Sequence, residues 1–122
     1  MSQGNRVRRV EEMVKRVISE ALIGEVDIPH GERITVTKVD MSPDLRNAKV
    51  FFSILAETEE EKQTIFLGVR KRRKEIRRIV GREMELRLVP SLKFEIDNTA
   101  EEAARIEALI QKIHEEDRSR EG

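Results

Sequence analysis

Residues 32–55 constrain the fold of this chain more than any other stretch. ERITVTKVD (32–40) is rich in β-branched residues and reads as a strand. MSPDLRN (41–47) follows, with Pro43, Asp44 and Asn47 supplying turn chemistry. AKVFFSIL (48–55) then reads as a second strand. Two strands joined by so short a turn predict an antiparallel hairpin. A third strand is written most clearly in ELRLVPSLKFEID (85–97). Leu86, Leu88, Leu92, Phe94 and Ile96 share one parity, and Arg87, Lys93 and Glu95 the other, which predicts one buried face. Pro90 cannot donate to a ladder, so this strand belongs at an edge or carries a bulge.

The remaining apolar residues follow helical spacing. Val7, Val10, Val14, Val17, Ile18, Ala21 and Leu22 mark a first helix, with Gly24 as its stop. Residues 1–5 form a polar start expected to be mobile, and 25–31 a loop with Pro29 and Gly31. Thr58 and Glu61 fit a capping box ahead of Ile65, Phe66, Val69, Ile76, Ile79 and Val80, with Gly81 as the end. That stripe has a hole. Arg72 and Arg73 fall on its apolar face, where they cannot be buried unpaired. Either the helix bends at 72–74 or these side chains snorkel. Thr99 and Glu102 fit a second capping box, and Ala103, Ile106, Leu109, Ile110 and Ile113 mark a last helix. The tail 115–122 is polar and expected to fray. The order is α, β, β, α with a break, β, α. It predicts one α+β domain over 6–114, a three-stranded sheet with helices on one face.

The chemistry available is narrow. The chain of 122 residues has no cysteine, which excludes disulfides and thiolate sites and suits a reducing cytoplasm. No apolar run approaches the roughly 18 residues of a membrane span, and the N-terminus has no signal-peptide core. His30 and His114 lack a ligand partner at useful spacing, and no glycine pattern cradles phosphate. Asp40, Ser42 and Asp44 are explained by turn roles. Nothing assembles a nucleophile with its base, so neither an enzyme, a metal, a cofactor nor a small-molecule substrate is expected.

Binding is better supported. Residues 69–82 read VRKRRKEIRRIVGR, with eight basic residues opposed only by Glu75. The whole chain has 24 basic and 24 acidic residues, so charge is sorted in space. On one straight helix Arg70, Lys71, Lys74, Arg77, Arg78 and Arg82 fall within an arc of about 140°. That stripe can track a phosphate backbone, with Arg72 and Arg73 at the break. Arg6, Arg9, Lys15 and Arg16 extend it if the first helix lies alongside. The competing reading is a solvated face paired with the acidic 57–61 segment or the acidic last helix. A protein adaptor docking an acidic partner is the alternative function. Aromatics are only 3% of the chain, so backbone contacts rather than base stacking are expected.

Two ordered motifs give the chain a resemblance. Val39, Ser42, Asp44, Leu45, Ala48 and Val50, then Leu86, Arg87, Pro90, Leu92, Phe94 and Asp97, resemble the ribosome-binding factor A family over about residues 6–113. The resemblance implies a type II KH-like domain that binds free small (30S) subunits and assists 16S rRNA maturation without catalysis. It implies 16S rRNA as partner, and monomer is the default because no exposed apolar stripe is evident. Asp44, Pro90 and Asp97 are read as structural. Where the family typically has Ala-x-Gly at a helix kink, this chain has Arg72, Arg73 and Lys74. Its usual Asp-Pro-Arg is here Ile28, Pro29 and His30.

Overall fold

The structure, a computed structural model, describes residues 2–121. The order is α1 (Ser2–Gly24), β1 (Ile34–Met41), β2 (Asn47–Ile54), α2 (Glu59–Lys71), α3 (Arg73–Met84), β3 (Ser91–Ile96) and α4 (Thr99–Glu121). A 3₁₀ turn at Gly31–Arg33 leads into β1. α1 takes in residues 2–5, and α4 runs on through the polar tail to Glu121, so the expected boundaries at 6 and 114 fall inside helices.

β2 is the central strand, antiparallel to β1 and parallel to β3. The turn between β1 and β2 is closed by Asp44, whose carboxylate accepts from the Ser42 hydroxyl (2.7 Å) and the Arg46 N–H (3.1 Å). In β1 the buried residues are Ile34, Val36, Val39 and Met41, so the alternation slips by one. Val36 faces Phe52 while Lys38 faces Phe51, which leaves Thr37 as the extra residue of a β-bulge. The bulge turns Val39 and Met41 back to the core. It also directs the Thr37 hydroxyl to the Asp97 carboxylate, 2.7 Å away.

Asp97 sits just beyond β3 and accepts from the Thr99 N–H (2.9 Å) at the start of α4. The side chain at that helix start is thus Asp97, and Thr99 is already helical. The Thr99 hydroxyl, then the Thr37 hydroxyl and the Thr99 N–H, hold the Asp97 carboxyl below the usual carboxylate range. A carboxyl depressed in the folded state stabilises fully above the unfolded value, about pH 4. That stability is lost as pH falls through the folded value. Asp97→Asn is expected to lower stability at pH 7 and to flatten the acid limb below about pH 4 in urea unfolding against pH. An unchanged acid limb would refute the assignment.

The core lies between one sheet face and three helices. Val14 and Ile18 of α1, Val69 of α2 and Ile76 and Val80 of α3 are fully covered, as are Val50 and Phe52 of β2. α1 packs on β1 and α3, and α2 closes over β2. Thr58 caps α2 by accepting from the Glu61 N–H, while the Glu61 carboxylate pairs with Arg33.

β3 is shorter than the alternation suggests. Residues 85–90 are not strand, and Leu88 is 75% exposed. Glu85 ends α3 in the left-handed region (φ 50°), and the Arg77 guanidinium takes the carbonyls of Val89 (2.8 Å) and Pro90 (3.1 Å). Those carbonyls are committed to a side chain rather than a ladder. Pro90 is buried just ahead of β3, which is an edge strand.

α3 also continues past Gly81 to Met84. Gly81 is a close approach, not a stop. A Cβ there would lie 2.6 Å from Val89 Cγ2. Helix propensity alone favours Gly81→Ala by about 1 kcal/mol. Overpacking against a stiff, β-branched neighbour costs about 1–3 kcal/mol. We expect a net loss of about 1 kcal/mol in urea denaturation; a gain would show that the 86–89 loop yields freely.

α4 departs most from expectation. Its stripe does not join the core. Every residue from Thr99 to Ser119 is exposed, and Ile106, Leu109, Ile110 and Ile113 remain an apolar stripe in solvent. The helix-bearing sheet face is already covered by α1, α2 and α3. α4 is held at its base by Lys62, whose buried ammonium donates to Glu101 (2.5 Å) and Asn98 (3.0 Å).

Candidate nucleic-acid interface

The basic run is divided between two helices. α2 ends at Lys71, Arg72 stands between with φ −102° and ψ 16°, and α3 starts at Arg73. The straight-helix arc of about 140° is therefore replaced by two short basic surfaces that meet at a break. The break lies where the hole in the apolar stripe requires it. The Arg72 N–H still reaches the Val69 carbonyl (3.0 Å), and its half-buried guanidinium donates to the Gly68 carbonyl (2.9 Å). An arginine thus satisfies the backbone that the break would otherwise leave unmet. No glycine is needed, because φ stays negative.

The eight basic side chains have different duties. Arg72 closes the end of α2. Arg77 clamps the 85–90 loop. Arg82 pairs with Glu25 (2.8 Å) and Glu83 (2.9 Å), tying the end of α3 to the segment after α1. Arg70, Lys71, Arg73, Lys74 and Arg78 are exposed. Among the described residues none of these five has an ion-pair partner. Three acidic groups of the neighbouring segments are engaged elsewhere. Glu61 faces Arg33, while Glu59 and Glu101 surround Lys62. The Glu101 hydrogen bond is the main cause holding the Lys62 ammonium above its usual range.

The backbone contributes both signs at the break. Arg70 and Lys71 in the last turn of α2 suit its negative dipole end. Arg73 and Lys74 occupy the first turn of α3, where the dipole disfavours cations and no side chain caps the helix. The negative end of α2 and the positive end of α3 meet at Arg72, so the exposed side chains supply most of the field that draws an anion there.

α1 contributes a second set. Arg6, Arg9 and Arg16 are exposed, and Lys15 is half-buried. Glu11 accepts from the Met41 N–H (2.8 Å), which turns that flank of α1 toward β1. Lys15, one turn on, shares that flank and so turns from α3. Arg8, Arg9 and Arg16 line a surface groove along α1 with Asn5, Glu12 and Met13. Arg8 was not singled out from sequence, although it stands inside the RVRR cluster. The open sheet face holds further cations. Lys38 lies 5.7 Å from the centroid of the Phe51 ring, and Lys49 stands beside Lys93. Their signal in the sequence is the parity opposite to the buried residues.

The order α-β-β-α-break-α-β on a mixed three-stranded sheet defines a type II KH-like domain, extended by α4. The family model for ribosome-binding factor A matches residues 6–110. Ribosome-binding factor A of Halothermothrix orenii is 38% identical over 114 residues, covering 93% of each chain. The chain belongs to the ribosome-binding factor A family. The crystal structure of ribosome-binding factor A from Thermus thermophilus has the same fold. It matches with a TM-score of 0.60 at 21% identity, over 74% of this chain and 94% of that one. A Thermus thermophilus homology model fitted into a cryo-EM map of a complex with 30S also matches. Its TM-score is 0.57 at 20% identity, over 74% of this chain and 93% of that one.

Proposed function

We propose that this protein is a cytoplasmic, non-catalytic, monomeric assembly factor. It associates with free small ribosomal subunits and assists late maturation and processing of 16S rRNA. The observation that carries the reading is the set of five cations without ion-pair partners among the described residues, gathered at the α2–α3 break beside an uncapped helix N-terminus. Arg70, Lys71, Arg73, Lys74 and Arg78 contact phosphates. Arg72, Arg77 and Arg82 hold the break, the loop and the helix end that position them. Arg6, Arg9 and Arg16 extend the surface along α1, and Lys15 contributes from its other flank. The relative fitted into a 30S complex supports the choice of partner. Association with the rRNA backbone and shape, rather than base stacking, follows from the scarcity of aromatics.

Co-sedimentation tests it. The protein is expected to pellet with free small subunits and to stay in the supernatant of assembled, translating ribosomes. Equal recovery with both, or none with either, contradicts the proposal. Capture by an acidic protein with no retention on 16S rRNA would favour an adaptor instead.

A further inference from the structure

α4 is a long helix, exposed from Thr99 to Ser119. Ile106, Leu109, Ile110 and Ile113 are 48–58% exposed. Glu102 and Asp117 share their face, within an arc of about 100°. The apolar stripe is thus bracketed along the axis by two carboxylates, fifteen residues or about 22 Å apart. Glu101 is paired with Lys62, and between 102 and 118 the helix carries five carboxylates and three cations, a net of −2. Its acidic surroundings set it apart from the basic α2–α3 break. Its base is tied to α2 by the Lys62 bonds to Glu101 and Asn98, and the rest of the helix projects from the core.

We infer that α4 is a docking arm for a basic protein surface of the small ribosomal subunit, which takes the stripe into an apolar groove flanked by cations. The inference rests on the proposed association with that subunit. The mode is a helix in a groove, with anchors at i, i+3, i+4 and i+7. Charge complementarity selects the occupant. A net-negative helix is repelled by rRNA phosphates, whereas cations at both ends of a groove match Glu102 and Asp117. A second copy fits poorly. Pairing two such helices in either direction sets carboxylates against carboxylates at the ends of the stripe. The four half-exposed side chains also offer on the order of 400 Å² per chain, about half of what a stable dimer buries. The division of labour is then electrostatic: the break takes RNA and α4 takes protein.

Two full-length variants test the inference. Ile106→Ser with Ile110→Ser weakens the stripe. Glu102→Lys with Asp117→Lys reverses its ends and leaves the apolar residues in place. Equilibrium binding is measured for purified small subunits and for protein-free 16S rRNA. Both variants are expected to lose about tenfold or more in affinity for subunits; on protein-free rRNA the serine variant is expected to match wild type and the charge-reversed variant to bind as tightly or more tightly. Four results overturn the inference. These are unchanged subunit binding, an equal loss on protein-free rRNA, tighter subunit binding by the charge-reversed variant, and a wild-type dimer in sedimentation that the serine variant abolishes. Failure of the wild type to bind subunits at all would overturn the proposed function with it.

Discussion

Changing Arg73 and Lys74 together to glutamate is expected to weaken 16S rRNA binding about 100-fold at moderate salt, through two lost phosphate contacts and new repulsion. The fold is not expected to suffer. Both positions lie in the first turn of α3, where glutamate suits the helix dipole better than arginine or lysine does. Both side chains are exposed and without ion-pair partners among the described residues. Loss of binding with an unchanged or raised unfolding midpoint therefore separates the contact from the scaffold. Arg77→Glu has the contrary signature, because it frees the carbonyls of Val89 and Pro90 and so costs stability as well as binding. Filter binding beside urea denaturation reads both. A double variant that binds within about threefold of wild type would remove the break from the interface.

Phe52→Ala is expected to cost about 3–5 kcal/mol of stability. Phe52 is fully buried on the central strand, and its ring meets that of Phe94 edge to face at 5.0 Å and 80°. Val36 sits opposite it in β1, and Ile96 pairs with it in β3. Truncation opens a cavity that three strands share, in a domain whose total stability is of the order of 5–15 kcal/mol. The variant should unfold about 15 °C lower by circular dichroism. A loss under about 1 kcal/mol would mean that the core collapses around the gap.

How far the sequence could be read depended on which forces were local. The hairpin, the capping of α2 and the first helix rest on turn chemistry and on periodicity within one segment, and these were legible. The break at Arg72 was legible as one of two readings, because arginines on the apolar stripe call for either a bend at 72–74 or snorkelling side chains. What escaped was decided by neighbours distant in sequence. Residues 85–90 alternate like a strand, yet the Arg77 side chain from α3 takes their carbonyls. Gly81 has the look of a helix stop, yet Val89 packing over it is the constraint. Thr37 carries no mark of a bulge until Val39 and Met41 are seen to be buried. α4 escapes for a different reason. Its stripe was a correct helix signal, but periodicity says that a face is apolar and not whether this chain supplies the cover. In the candidate interface, charge density located the region. Only the structure separates the cations with structural bonds from those that face solvent.

On the proposed function, the exposed cations at the α2–α3 break neutralise rRNA phosphates. Filter binding of 16S rRNA across a salt series measures this directly. With about five phosphates neutralised, log affinity should fall against log salt with a slope near −3.5 to −4.5. In the Arg73→Glu, Lys74→Glu variant the slope should be shallower by about 1.4 to 1.8. A flat salt response in the wild type, or the same slope in both proteins, would contradict it.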